Sequence, residues 1–274
     1  MENGYYIMIK PIEGFPANIE WETILNCPMC GKKVIECDYI FALDDRSLDI
    51  EMRYMKCPVC MLYFRPKRMT EDYLKFYYEK VYRKLLFGDN PINEEDLAIQ
   101  KIRTIPTMGL IQKCIQQDIL PKTGRLLEIG SSGGELLQAA QDELEWQAMG
   151  IDIDPIYREY ANKRGRVTYD KVEGNYSGRM FDVIAMLHVL EHTNYPIDFI
   201  RTYTQYLSPN GVLVIDVPHA ERTLASYSIH HPIAFTEESL KWMFNELRMP
   251  PLGTVFYGIR SPLKHYLIML ARKE

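Results

Sequence analysis

The chain has 274 residues, 47% hydrophobic and 25% charged, which is ordinary globular usage and excludes disordered, collagen-like and coiled-coil classes. That length holds one medium domain with a sizeable core plus an appendage. With 32 Lys and Arg against 37 Asp and Glu the formal charge is −5, so no global field gathers phosphate backbones or anionic lipid, and a reader of nucleic acid would need a local basic patch.

Met1–Lys10 lacks the charged start and apolar centre of a signal peptide, and no apolar run approaches the roughly 18 residues of a membrane helix. A cytosolic location without a membrane span is therefore expected. Six cysteines in such a chain are not expected to form a disulfide frame. Four of them fall into Cys27-Pro-Met-Cys30 and Cys57-Pro-Val-Cys60, with 26 residues between the pairs. Each turn places two thiolates on one side of a metal, and two turns complete a tetrahedral shell that suits zinc. Sulfur in all four positions leaves no place for water, so the expected metal is structural. Cys37 and Cys114 lie outside this pattern and read as packed thiols.

Three segments differ in character: residues 1–64, a zinc-ribbon domain; 65–121, a helical connector or lid; and 122–274, where strand-like and helix-like runs alternate. In the connector, Thr70 to Gly88 opens on a capping residue, carries apolar residues at helical spacing and stops at glycine. A second helix is expected from Glu94 to about Ile119, packing on the main domain through its Ile, Leu and Met positions.

From Arg125 the reading is strand, helix from about Gly134, strand to Ile153, helix from Pro155, a weak strand around Thr168, strand Phe181–Leu187, helix from Pro196 and strand Gly211–Val217. Such alternation implies an α/β fold with a doubly wound parallel sheet, helices on both faces and ligands at the carboxyl ends of the strands.

The first of these strands runs into Gly130-Ser131-Ser132-Gly133-Gly134, a turn that lets a ligand approach the backbone and meet a helix amino terminus. A dinucleotide fingerprint begun at Gly130 would need glycine at Ser132 and Glu135, so nicotinamide and flavin are disfavoured. A zwitterionic sulfonium cofactor tolerates the acid Glu128 at the strand end. Asp152, 22 residues beyond Gly130, stands where an acid grips a ribose diol, although Asp152 and Asp154 are also suited to capping the helix at Pro155.

At this point the residues resemble the class I S-adenosylmethionine-dependent methyltransferases. Glu128-x-Gly130-x-Ser132-x-Gly134 looks like their acid-x-Gly-x-Gly-x-Gly motif, and Gly150-Ile151-Asp152 looks like their second. Phe181-Asp182-Val183-Ile184, His188-Val189-Leu190-Glu191-His192 and Leu207-Ser208-Pro209-Asn210-Gly211 resemble the later ones. The paired knuckles, Tyr63-Phe64-Arg65-Pro66 and Glu71-x-x-Leu74-x-x-Tyr77-Tyr78 add a likeness to bacterial zinc-ribbon methyltransferases. The resemblance implies a Rossmann-like methyltransferase domain, S-adenosylmethionine and structural zinc as cofactors, and a small-molecule acceptor such as a nucleotide-linked or polysaccharide sugar. Cofactor contacts are then expected at Glu128, Gly130, Ser131, Ser132, Gly134, Asp152, Ile153, Leu187 and His188.

Methyl transfer needs an in-line approach to a cationic methyl and, for an acceptor that loses a proton, a base. His188 and His192 follow the fourth strand, and histidine is suited to that proton transfer. By family position His192 is the first choice, with Glu191 orienting it or touching substrate. The same string also reads as a strand end that merely packs the next loop; as an inverted zinc-protease motif it would need a helix across all five residues. His231 is expected to contact substrate by its likeness to a His...Phe-Thr...Leu stretch, while Thr236 reads as a helix cap. Tyr5, Tyr6, Tyr77, Tyr78 and Tyr82 offer stacking surfaces, although aromatics at helical spacing are more often core.

Two other functions fit parts of the pattern. An RNA methyltransferase would grip its substrate through the ribbon, where Lys32, Lys33, Arg65, Lys67 and Arg68 are too few to dominate binding. A non-catalytic partner protein would keep the cofactor fold without turnover.

Overall fold

The computed structural model describes residues 18–45, 50–88, 92–172, 178, 180–259 and 264–273; Met1–Lys10 with Tyr5 and Tyr6 lie outside this range. The front of the chain is held together by pairings distant in sequence. Strand β1 (Trp21–Thr23) pairs antiparallel with a strand that follows both cysteine pairs, while β2 (Asp38–Asp45) and β3 (Ile50–Lys56) form an antiparallel ladder continued by β4 (Tyr63–Phe64). The partner of β1 is β5 (Lys67–Met69), so the front module runs past the expected boundary at residue 64.

The expected Thr70–Gly88 helix forms with an interruption. Thr70 Oγ1 accepts from the Tyr73 N–H (3.2 Å), opening α1 (Glu71–Phe76), and Gly88 closes α2 (Tyr82–Phe87) at φ +64°. Between them Tyr77–Val81 makes a π-helical turn. Such a turn accommodates one extra residue and swings the following side chains by about 100° relative to an α-helical register. Asn93 caps α3 (Glu94–Gln116), whose buried Leu97, Met108, Ile111 and Cys114 face the main domain as their spacing implies.

The back of the chain runs β6 (Arg125–Ile129), α4 (Glu135–Leu144), β7 (Gln147–Ile151), α5 (Pro155–Lys163), β8 (Thr168–Tyr169), β9 (Phe181–Leu187), α6 (Pro196–Thr204), β10 (Leu207–Pro218), β11 (Ile233–Ala234), α7 (Glu237–Glu246), β12 (Pro251–Tyr257) and β13 (Tyr266–Arg272). All but β11 of these strands form one sheet in the order β12-β13-β10-β9-β6-β7-β8. The strands from β8 to β10 are mutually parallel, whereas β13 runs antiparallel to both neighbours. The sheet is therefore mixed and not wholly parallel: β12 ends at Tyr257 and β13 starts at Tyr266, a connection too short for a parallel crossover, so the second returns in the opposite direction.

Alternate residues of the central strands bury on opposite faces, Leu127, Ile129, Ile184 and Ile215 on one and Leu126, Val183, Val212 and Val214 on the other. Each is worth about 1.5–3 kcal/mol relative to exposure. Chain order reverses where β6 lies between β7 and β9, the place where open α/β sheets leave a crevice at their carboxyl ends.

The front module is joined to this sheet. Ile233 and Ala234 of β11 pair with Phe64 and Tyr63, and Cys27, Cys57, Cys60 and Phe64 share one apolar core with Phe235 and Leu240. Arg65 Nη1 donates to the Ile229 carbonyl (2.8 Å), and Arg68 donates to Glu22 (2.8 Å) and to the Asn194 carbonyl (2.8 Å); both side chains are buried. Two of the five basic groups near the ribbon thus serve the interior and not a polyanion.

Candidate active site

At the end of β6 the chain turns through left-handed backbone at Gly130, Ser132 and Gly134, with φ of +72°, +45° and +76°. A Cβ at Gly130 would overlap Val189 Cγ2, so only glycine fits. Ser132 holds its strained conformation through two bonds: its N–H donates to Asp152 Oδ2 (2.6 Å), and its Oγ accepts from Arg83 Nη2 (2.9 Å). Gly134 caps α4 with its Cβ position against Arg166. Alone among the expected cofactor contacts it does not line the crevice, and its role is to start the helix.

Asp152, just after β7, accepts from Ser132 N–H at one oxygen and from Asp154 N–H (2.8 Å) at the other. Burial raises its pKa and these backbone bonds oppose the shift. Asp154, by contrast, caps α5 through the Ile156 and Tyr157 N–H groups. Glu128 is 5% exposed and its Oε2 has no partner. Burial, then the charges of Asp152 and Glu135, hold its carboxyl well above the usual range. A buried acid with an orphaned oxygen on a crevice wall has hydrogen-bonding capacity left unused by the protein.

The crevice encloses about 800 Å³. Glu128, Gly130, Ser131, Ser132, Asp152 and Ile153 line it together with Leu187, His188, Glu191, His192 and His231; Tyr78, Tyr82 and Arg83 of the connector also face it. Arg83 ties that connector down: Nη1 donates to Asp96 Oδ2 (2.6 Å), and the guanidinium lies 4.0 Å from the Tyr157 ring centroid.

Beyond β9 the chain enters left-handed backbone at His188 (φ +53°) and then a single 3-10 turn, Leu190–His192. This brings together all four residues expected to do chemistry. His188 Nδ1 lies 3.2 Å from Glu191 Oε1, His192 Nε2 lies 4.0 Å from the same oxygen, and the His192 and His231 rings are 4.6 Å apart. Tyr78 Oη donates to the His230 carbonyl (3.1 Å) and also bonds His192 Nδ1. One phenolic proton cannot serve both acceptors, so Nδ1 carries the hydrogen and His192 Nε2 keeps its lone pair. Burial depresses His188 and His192 well below the ordinary histidine value and His231 to about 4, while it raises Glu191 to about 8.

Several site residues escaped the sequence. Arg83 comes from the connector, where the π turn lets it address one cavity with Tyr78 and Tyr82, two of the tyrosines read as stacking surfaces. Tyr77 alone among these tyrosines is core, as helical spacing suggests. Arg103 of α3 lines the cavity with its Nε buried and unpartnered, 5.7 Å from the Tyr266 ring. Behind His188, the fully buried Asp216 accepts from Tyr257 Oη (2.5 Å) and has its pKa raised by burial to about 7. An Asp in a seven-residue apolar strand is the one sequence signal that pointed to it.

The four paired cysteines converge. Cys27 Sγ lies 3.5 Å from Cys60 Sγ, and Cys30 Sγ 3.4 Å from Cys57 Sγ, close to the about 3.8 Å edge of a tetrahedron built on 2.3 Å metal–sulfur bonds. A hydrogen bond from Cys60 lowers Cys27 to about 6, while burial pushes Cys30 up to about 12. Cys114 is packed in the core and Cys37 stands outside the four-sulfur group, as expected.

The methyltransferase domain family matches residues 104–247. The chain is 31% identical over 140 residues to the mitochondrial ubiquinone biosynthesis O-methyltransferase of Schizosaccharomyces pombe, covering 47% of each protein. It is 28% identical over 127 residues to the ubiquinone biosynthesis O-methyltransferase of Azorhizobium caulinodans, covering 43% of this chain and 48% of that one. The chain thus spans about half the length of the curated relatives it matches. Magnesium protoporphyrin IX methyltransferase from Synechocystis PCC 6803, solved with bound SAH, superposes with a TM-score of 0.53 at 14% identity over 75% of this chain and all of that one, a likeness of fold. The family match takes in the first turn, Asp152 and the histidine cluster and more than half of the residues: the chain belongs to the methyltransferase domain family.

Proposed function

We propose that the protein transfers a methyl group from S-adenosylmethionine to a hydroxyl of a small ring-bearing metabolite. The carrying observation is one cavity lined by an orphaned acid, an acid one strand over and a cluster of neutral imidazoles. The residues present fit the cofactor: Glu128 offers an unpartnered oxygen to its ammonium, and Asp152 keeps lone pairs for a diol after accepting two backbone N–H bonds. When bound, the cofactor supplies an electrophilic methyl on sulfur. The acceptor oxygen bonds that carbon as the carbon–sulfur pair returns to sulfur, and the hydroxyl proton passes to the histidine cluster, where His192 Nε2 is the available lone pair.

The curated relatives are named ubiquinone biosynthesis O-methyltransferases, which supports transfer to oxygen. The tyrosine and histidine rings lining the cavity suit a planar acceptor, and the sugar suggested by the resemblance has no counterpart among those relatives. Burial of Arg65 and Arg68 leaves three lysines of that basic group for RNA, which supports the small-molecule reading over RNA methylation. Zinc on the four thiols completes the reading, with a structural role.

Methyl transfer measured as S-adenosylhomocysteine release should appear with dihydroxylated benzoates and be absent with nucleotide sugars; the reverse pattern would overturn the acceptor class. His192→Ala should lower kcat about a hundredfold or more while S-adenosylhomocysteine affinity holds. Because burial keeps the imidazoles neutral, the acidic limb of the kcat profile should fall well below pH 6.5.

Arg83→Ala should weaken S-adenosylhomocysteine binding roughly tenfold in calorimetry, because a charge-assisted bond to Ser132 of about 1.5–3 kcal/mol is lost from the turn. Unchanged affinity would show that the connector does not secure the cradle.

A further inference from the structure

We infer that Glu191, His192 and His231 hold a divalent cation of the first transition row beside the point of methyl transfer, an inference that rests on the methyl-transfer reading above. One donor atom from each of the three lies within 4.8 Å of the others. Within this group two polar atoms are conspicuously unused: Glu191 Oε2 and His231 Nδ1 are buried without a hydrogen-bond partner.

Each donor is also oriented from behind. Tyr78 holds His192 at Nδ1 and leaves Nε2 to face Glu191. Backbone groups of Ser226 and Ala225 interact with the His231 ring, and Glu191 Oε1 is steadied by His188 Nδ1. Outer partners of this kind set tautomer and direction in metal sites. Two imidazoles with one carboxylate suit Mn2+, Fe2+, Co2+ or Zn2+ better than Mg2+, which prefers oxygen. Three protein ligands leave positions open towards the cavity, unlike the closed four-sulfur group.

A cation there acidifies an acceptor hydroxyl directed at it. On this reading the cation takes the His192 Nε2 lone pair that would receive the proton in its absence, and the hydroxyl proton leaves to solvent. The oxygen then bonds the methyl carbon as the carbon–sulfur pair moves to sulfur.

The test is a Mn2+ titration of the zinc-loaded full chain by electron paramagnetic resonance, Mn2+ being a poor competitor for thiolates. One Mn2+ per chain is expected. Its affinity should fall about tenfold or more in Glu191→Gln and in His231→Ala, and about tenfold in Tyr78→Phe, while calorimetry shows S-adenosylhomocysteine still bound. Independently of any variant, Mn2+ should broaden the 13C-methyl resonance of bound S-adenosylmethionine. An unbroadened line, no Mn2+ uptake at millimolar concentration, or wild-type Mn2+ affinity in both ligand variants would overturn the cation site while the cofactor reading stands. Loss of cofactor binding with Mn2+ uptake intact would overturn the cofactor reading instead.

Discussion

Asp152→Ala is expected to weaken S-adenosylhomocysteine binding by about a hundredfold or more. Two charge-assisted bonds to a ribose diol contribute about 1.5 kcal/mol each at the low end, and each 1.4 kcal/mol is tenfold in affinity. The loss does not stop at the diol, because the same carboxylate accepts the Ser132 and Asp154 N–H groups. Without it the left-handed Ser132 loses one of the two bonds that hold it, and the turn facing Glu128 loosens. Asp152→Asn, which keeps one acceptor oxygen, should lie between the two. Calorimetry with thermal unfolding as a fold control measures both, and wild-type affinity in the alanine variant would sink the cofactor site.

The second large effect is at the thiol cluster. One zinc per chain should be released on chelation, and Cys60→Ser should lower the melting temperature by about 10 °C or more. Structural zinc in small thiolate sites is worth about 10–16 kcal/mol, of which a fused module passes on part; 1 kcal/mol shifts Tm by about 2–4 °C at this chain length. The damage should reach the active site, because Cys27, Cys57 and Cys60 share a core with Phe235 and Leu240, and β11 pairs with β4 just after His231. Cofactor affinity should fall together with Tm. A protein without stoichiometric zinc and with an unchanged melting curve would reduce the cluster to packed sulfur.

What was legible in the chain is what is local. Strand Phe181–Leu187 reads as an apolar run and forms as one; Thr70, Asp154 and Thr236 announce helix starts because a capping side chain bonds the backbone two or three residues away. The CxxC turns, the small-residue turn after β6, and Asp152 one strand over declare themselves by spacing. His188, Glu191 and His192 are neighbours in sequence, so one turn suffices to gather them.

The rest depended on contacts between distant segments. The π turn at Tyr77–Val81 leaves no trace in periodicity, yet it sets where Tyr78 and Arg83 point. The final hairpin escaped because Tyr266–Arg272 is buried on both faces and lacks the alternation of an exposed antiparallel strand. His231 joins His192, Arg83 joins Ser132, and Asp216 meets Tyr257 only through packing. The sequence by itself determined the elements, the thiol pairs and the cofactor turn, since each is set by interactions within a few residues. Tertiary structure alone decided the cavity, its connector wall and the protonation of its histidines, because burial and partner choice are properties of segments brought together from across the chain.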